Sequence, residues 1–384
     1  MLDQRYPRAY IQAAATTRYG RHEGRSALDL MAEAANSALA QSGLARDQID
    51  GVLCGYATTF PHLMLADLLS EKLGLQPDYA HGMQMGGATG AAMVMLAREL
   101  LRAGSCRRIL VVAGENRLTG QAVDTSIQTL AQVGEADTEV PNGASVPAYY
   151  ALMASTYMHR TGIDRESLAE FAVLMRRHAS QHPHAHLRDL ITLDQVLTSR
   201  PIATPLHLLD CCPISDGAAA LVLSVDEGPV QVTGGGQAHR HQHLSAMRDV
   251  LDTGAARACT RALAQAQLDV EQIDYLAIYD SFTITLVMLL EELGFAPRGG
   301  AGARLRQGDF AATGALPLNT HGGLLSFGHS GVAGGLAHVV EAWTQLAGQA
   351  GPRQIAPRHR ALVHADGGVL SAHVSLVLQA EGSA

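Results

Sequence analysis

The 384-residue chain has no cysteine pair at C-x-x-C spacing, no apolar run of membrane-spanning length and no excess of basic residues. Its five cysteines, Cys54, Cys106, Cys211, Cys212 and Cys259, are scattered except for one adjacent pair. That pattern excludes a structural zinc site and, with no signal peptide, points to a reducing, cytoplasmic setting. The Cys211-Cys212 pair reads as buried filler. A net charge of −8 leaves no basic footprint for nucleic acid. No run reaches the roughly 18 apolar residues of a membrane helix. Charged residues are scarce at 17% against 47% hydrophobic, which excludes a disordered chain and provides for a large packed interior.

A more specific absence lies at residues 83–104, MQMGGATGAAMVMLARELLRAG. A glycine-rich turn feeds a helix there, and a helix N-terminus stabilises negative charge. Acyl-transfer enzymes place nucleophiles on such turns. Here the turn is Gly86-Gly87-Ala88-Thr89-Gly90, with neither cysteine nor serine.

What the chain does have is a copy of itself. Residues 38–50, ALAQSGLARDQID, and 262–274, ALAQAQLDVEQID, agree at eight of thirteen positions. Each follows an alanine-rich amphipathic segment and precedes a short apolar run, GVLCGY or YLAIYD. Helix, loop and buried strand are expected in both. The helix candidate 90–104 is answered by 334–348, and the apolar run 109–115 by 361–368. Helices alternating with buried strands predict α/β layering, in two related halves about a pseudo-twofold axis. Between them, 117–200 reads as a mostly helical excursion, with the His-rich stretch 181–189 as a solvated loop that lacks zinc spacing.

Four motifs on this duplicated chain resemble the thiolase superfamily, nearest its sterol-carrier-type members. They are LLDCCPISDGAAALVL at 208–223, YDSF at 279–282, NTHGGLLSFGHSG at 319–331 and HADGG at 364–368. The resemblance implies the thiolase fold: two duplicated βαβαβ-type halves in five layers, α-β-α-β-α, with an inserted loop domain. The expected domains are 1–116, completed by about 201–227; the loop domain 117–200; and 228–384. The resemblance places the acylated cysteine of the family at Gly87, and glycine forms no covalent intermediate. Its second cysteine falls on Ala365, the cysteine of the HDCF block on Ser281, and the histidine of that block on Tyr279. Ping-pong thiolysis is therefore not expected.

The remaining polar groups define the candidate site. His329 matches the family's GHP histidine and is a candidate oxyanion donor; its alternative is a helix cap or a partner for a buried carbonyl. Tyr279 closes an apolar run and is a candidate base for a β-hydroxyl, or else an aromatic lid with a water-bonded hydroxyl. His364 is a candidate proton donor. Asn319 and His321 are candidates for holding a thioester or water, or for turn chemistry before Gly322-Gly323. Asp280 and Ser281 are substrate-positioning candidates, Asp280 by capping a loop. The expected reaction makes or breaks a C–C bond beside a CoA thioester without an acyl-enzyme, most concretely retro-aldol cleavage of a 3-hydroxyacyl-CoA. Some thiolase-fold enzymes of steroid side-chain degradation work this way, with a small OB-fold, zinc-ribbon partner protein. The alternatives are an acetyl-CoA acetyltransferase-type acyltransferase by an unusual route, or a silent subunit of a heteromer. A homodimer is expected, with an acyl-CoA substrate, no permanently bound cofactor and no metal.

Overall fold

The computed structural model describes residues 6–143 and 145–382. The first half runs β1 (Tyr10–Thr16), α1 (Ala27–Ser42), β2 (Gly51–Gly55), α2 (Leu65–Leu73), β3 (Tyr79–Met83), α3 (Thr89–Arg102) and β4 (Arg108–Asn116). Helices α4 (Val123–Ala131), α5 (Val146–Thr161), α6 (Arg165–Ser180) and α7 (Leu193–Thr198) follow, then the short strands β5 (Pro201–Ala203) and β6 (Leu206–His207). β7 (Asp216–Ser224) returns to the first sheet. The second half has β8 (Val230–His239), α8 (Ala255–Ala266), β9 (Tyr275–Ile278), α9 (Thr283–Glu292), α10 (Ala301–Arg306) and α11 (Gly323–Ser326). It ends with α12 (Val332–Leu346), β10 (Arg360–Gly367) and β11 (Ala372–Ala380).

The strands lie in the order β3-β2-β4-β7-β1-β8-β11-β10-β9. β2 is parallel to β3 and β4, as β9 is to β10; the β4–β7, β7–β1, β8–β11 and β10–β11 pairs are antiparallel. The two sheets join through a short antiparallel contact, Tyr10 to Gln231 and Ile11 to Val230. α1 covers the first sheet from outside and α8 the second, while α3 and α12 touch strands of both halves and form the central layer. This is the five-layered thiolase arrangement. α12 is buried along nearly its whole length, and its buried polar residues are partnered, Glu341 by Arg353 and Thr320.

The sequence repeat is legible as repeated work. Gln41 accepts from the Ala14 N–H at 2.9 Å, and Gln265 from Gly235 at 3.0 Å, so each ties its helix to the first strand of its half. Asp50 accepts from the N–H groups of Arg107 and Arg108, and Asp274 from those of His359 and Arg360. Each aspartate thus anchors the start of β4 or β10. Gly43 and Gln267 both end their helices in the left-handed region, at φ 69° and 56°.

The central helices cross closely because glycines stand at the crossing. A Cβ on Gly90 would come within 2.5 Å of the Leu336 nitrogen, and one on Gly335 within 2.4 Å of the Gly87 oxygen. This brings the N-termini of α3 and α12 together. The His-rich stretch departs from expectation only at His182. Residues 181–189 form a largely exposed loop, as expected, but it is pinned at two points, with His184 O accepting from Tyr19 N–H and His186 N–H donating to Phe327 O. His182 packs edge-on against Phe327 and stands 4.0 Å from Glu341. Only His182 and Ala185 of the stretch are buried, and it is His182 that composition alone did not single out.

Candidate active site

The glycine turn is built as a platform. Gly86 takes φ 55°, and the Thr89 hydroxyl accepts from Met85 N–H and donates to Gly86 O, which fixes the entry to α3. The space above Gly87 is occupied by Tyr279. A Cβ on Gly87 would lie 2.1 Å from the Tyr279 hydroxyl oxygen and 2.5 Å from the Asp366 carbonyl oxygen. A side chain at residue 87 would have to displace both the Tyr279 hydroxyl and the Asp366 backbone. The Tyr279 hydroxyl occupies the volume that a side chain at 87 would take, with the Asp366 carbonyl beside it.

Tyr279 follows the last residue of β9, with its N–H donating to His364 O at 2.9 Å. The preceding residue is clamped by Asn319, whose carboxamide accepts from Ile278 N–H at 2.8 Å and donates to Ile278 O at 2.7 Å. Both ends of that side chain are occupied by backbone. Asn319 thus places Tyr279, and holding a thioester would require it to release a buried backbone group.

The Tyr279 hydroxyl lies 2.9 Å from His329 Nε2. His329 is fixed by backbone bonds from its N–H to Pro213 O and from Ser215 N–H to its own carbonyl. Its Nδ1 accepts from Gly331 N–H at 3.2 Å. In a neutral imidazole the proton is then on Nε2 and points at the tyrosine oxygen, a tautomer assigned from this network. Burial, then the Arg117 charge, hold His329 down to about 4, so it stays neutral near neutral pH. Burial, then the neighbouring Asp366, push the Tyr279 phenol well above 10. It is a hydrogen-bond donor at neutral pH, not the base its sequence position suggested.

Asp366 lies close enough to bear on the tyrosine, and its own carboxyl is displaced upward. Burial raises its carboxyl from 3.8 to about 7. One oxygen lies 3.4 Å from the Tyr150 hydroxyl, and the other has no hydrogen-bond partner among the described residues. Tyr150 stacks on Phe282, with ring centroids 4.4 Å apart.

The other expected residues lie around this centre in different roles. Asp280 accepts from the N–H groups of Leu324 and Leu325 at the start of α11, and stands 3.3 Å from His338. The Ser281 hydroxyl is 3.3 Å from that of Thr285. His321 packs against His338 and Phe327, and neither ring nitrogen has a hydrogen-bond partner among the described residues. It lines a cleft of 440 Å³ with His182, His184, Trp343 and Arg353, a lining that includes neither Tyr279 nor His329. His364 is not brought to the pair: its ring nitrogens face Ser375 at 2.7 Å and His373 at 3.1 Å.

Sequence reasoning passed over Asp366, Tyr150, Arg117 and Cys212. Cys212 is not filler: it is partly exposed, its N–H donates to Ser281 O, and its thiol is near enough to Tyr279 to bear on its ionisation. An aspartate in the apolar run ALVHADGG was the available signal, because a strand buried on both faces has no place for an idle carboxylate. Among the described residues no three His, Cys, Asp or Glu side chains are placed to share a metal ion. None of the helices among them is long and apolar enough to cross a membrane.

Comparison with known proteins identifies the family. Residues 9–227 match the family model "Thiolase, N-terminal domain" and residues 236–380 "Thiolase C-terminal domain-like". The chain is 30% identical to an acetyl-CoA acetyltransferase of Methanothermobacter thermautotrophicus, over 92% of this chain and 94% of that protein. It is 31% identical to a steroid side-chain-cleaving aldolase of Thermomonospora curvata, over 86% and 89% of the two chains. Among solved structures, one described as the Ltp2-ChsH2(DUF35) aldolase superposes with a TM-score of 0.85 at 28% identity, covering 98% of each chain. The chain belongs to the thiolase superfamily and is an enzyme of that superfamily.

Proposed function

We propose that the enzyme cleaves a 3-hydroxyacyl-CoA by a retro-aldol reaction that uses no acyl-enzyme. The observation that carries this reading is the Tyr279 hydroxyl standing where a nucleophile at residue 87 would have to be. Similarity to a steroid side-chain-cleaving aldolase supports it. The Asp366 carboxylate takes the proton of the β-hydroxyl, the β-carbon becomes a carbonyl, and the Cα–Cβ bond breaks. The electron pair moves into the thioester enolate, whose oxygen receives hydrogen bonds as charge develops. Protonated Asp366 returns its proton to Cα, giving a carbonyl product and a shortened acyl-CoA with no free CoA consumed. Tyr279 donates its hydroxyl proton into a hydrogen bond at the reacting oxygens, while His329 Nε2–H holds the tyrosine oxygen in place.

A second copy of the chain can add to β3, which pairs with β2 on one side and is partly exposed. A homodimer in the cytoplasm belongs to this reading. So does a small OB-fold, zinc-ribbon partner, supported by a structural neighbour whose description names two components. Tyr279→Phe tests the assignment, removing one hydroxyl at nearly constant volume. Turnover of a 3-hydroxyacyl-CoA is expected to fall by about 10²–10⁴-fold with the melting temperature preserved. Turnover within about threefold of wild type would remove Tyr279 from the mechanism.

A further inference from the structure

Arg117 is the first residue after β4, and only 8% of it is exposed. Its Nε and Nη2 are buried with no hydrogen-bond partner among the described residues. Two carboxylates of the adjoining strand ends, Glu115 on β4 and Asp216 on β7, are already engaged. Glu115 accepts from the N–H and hydroxyl groups of both Thr58 and Thr59. Asp216 accepts from His22 N–H, Leu118 N–H and both donors of Thr119. Buried guanidinium nitrogens without partners are costly unless something anionic completes them.

Its place indicates what that is. Asn116, just before it, pairs with Asp216 at the start of β7. The chain leading into that strand is joined to the active centre, with Pro213 O and Ser215 N–H bonded to His329 and Cys212 N–H to Ser281. Glu115, on the same strand, reaches Gly331, two residues beyond His329. The Arg117 charge is felt at His329, Cys212 and Tyr56.

We propose that Arg117 receives the negatively charged oxygen of the acyl group, holding the thioester oxygen as enolate charge develops. This rests on the CoA-thioester reading above. A guanidinium presents a fixed fork of donors to an oxyanion and stays charged when buried, which neutral His329 does not. Arg117 supplies the positive charge, and the Tyr279–His329 pair supplies neutral donors.

The test is binding, not turnover. Titration calorimetry would compare S-carboxymethyl-CoA, which carries a carboxylate at the acyl position, with S-ethyl-CoA, which has the same phosphates and no acyl charge. Wild type is expected to bind the carboxymethyl probe at least about tenfold more tightly, the low end for a charge-assisted hydrogen bond. Arg117→Met should abolish that preference, leave S-ethyl-CoA affinity within about twofold, and melt no lower than wild type, since it removes an unpaired buried charge. Arg117→Lys should keep part of the preference. Equal affinities in wild type, no binding of either probe, or an equal loss for both in Arg117→Met would overturn the proposal; the last would place Arg117 on a CoA phosphate. A preference in a protein that cleaves no hydroxyacyl-CoA would keep Arg117 and retire the retro-aldol reaction. Turnover without the preference would retire Arg117 alone.

Discussion

Replacing Asp366 by asparagine removes one titration and leaves the shape of the side chain almost unchanged. Burial lifts this carboxyl from 3.8 to about 7, so the folded protein keeps a proton that the unfolded chain has released. A raised folded-state pKa contributes stability that is fully present below the unfolded value and is lost as pH climbs through the folded value. From pH 5 to pH 7 that loss spans two pH units at about 1.4 kcal/mol each. Wild type is therefore expected to lose about 3 kcal/mol more than Asp366→Asn between pH 5 and pH 8. Urea unfolding of both proteins at pH 5, 6, 7 and 8 measures it, the difference cancelling the titrations they share. The same group should give wild-type kcat/KM a limb that rises through a midpoint near pH 7 and levels off about one unit above it. Asp366→Asn should lose the limb, together with about 10²–10⁴-fold in rate. Parallel stability curves for the two proteins would refute the raised carboxyl, and an unshifted rate limb in the variant would refute its role as base.

Two further substitutions test how the site is assembled. Gly87→Cys restores the family's nucleophile but places its Cβ 2.1 Å from the Tyr279 oxygen. It is expected to destabilise by about 1–3 kcal/mol and to gain no thiolysis, which a 3-oxoacyl-CoA assay with free CoA would check. Asn319→Leu leaves the N–H and C=O of Ile278 buried without partners, and a loss of about 2–5 kcal/mol in urea unfolding is expected. A loss below about 1 kcal/mol would show that the clamp is not what seats Tyr279.

The two halves were readable before any coordinates, because the repeat preserves residues with backbone duties. Gln41 and Gln265, then Asp50 and Asp274, hold equivalent strands, so selection on geometry left matching letters. The vacated nucleophile and the tyrosine were each visible alone. Their occupation of one space was not, because Gly87 and Tyr279 meet only through the packing of the halves. The chemistry was read less well than the fold. Tyr279 looked like a base because its position is at a strand end, but ionisation depends on burial, which one sequence does not report. Asp366 sat inside a motif inspected only for its missing cysteine. His364 and Asn319 stood at expected motif positions, yet their polar atoms turn to Ser375, His373 and Ile278. Motif position fixes a Cα; partners decide what the side chain is free to do.

The most direct test of the central claim is a mass-spectrometric turnover assay of the purified protein on 3-hydroxyacyl-CoA and 3-oxoacyl-CoA panels, with and without free CoA. The account predicts that a 3-hydroxyacyl-CoA is cleaved to a carbonyl compound and a shorter acyl-CoA when no free CoA is present. Cleavage confined to a 3-oxoacyl-CoA and dependent on added CoA would mean that thiolysis proceeds without the cysteine, and would contradict it.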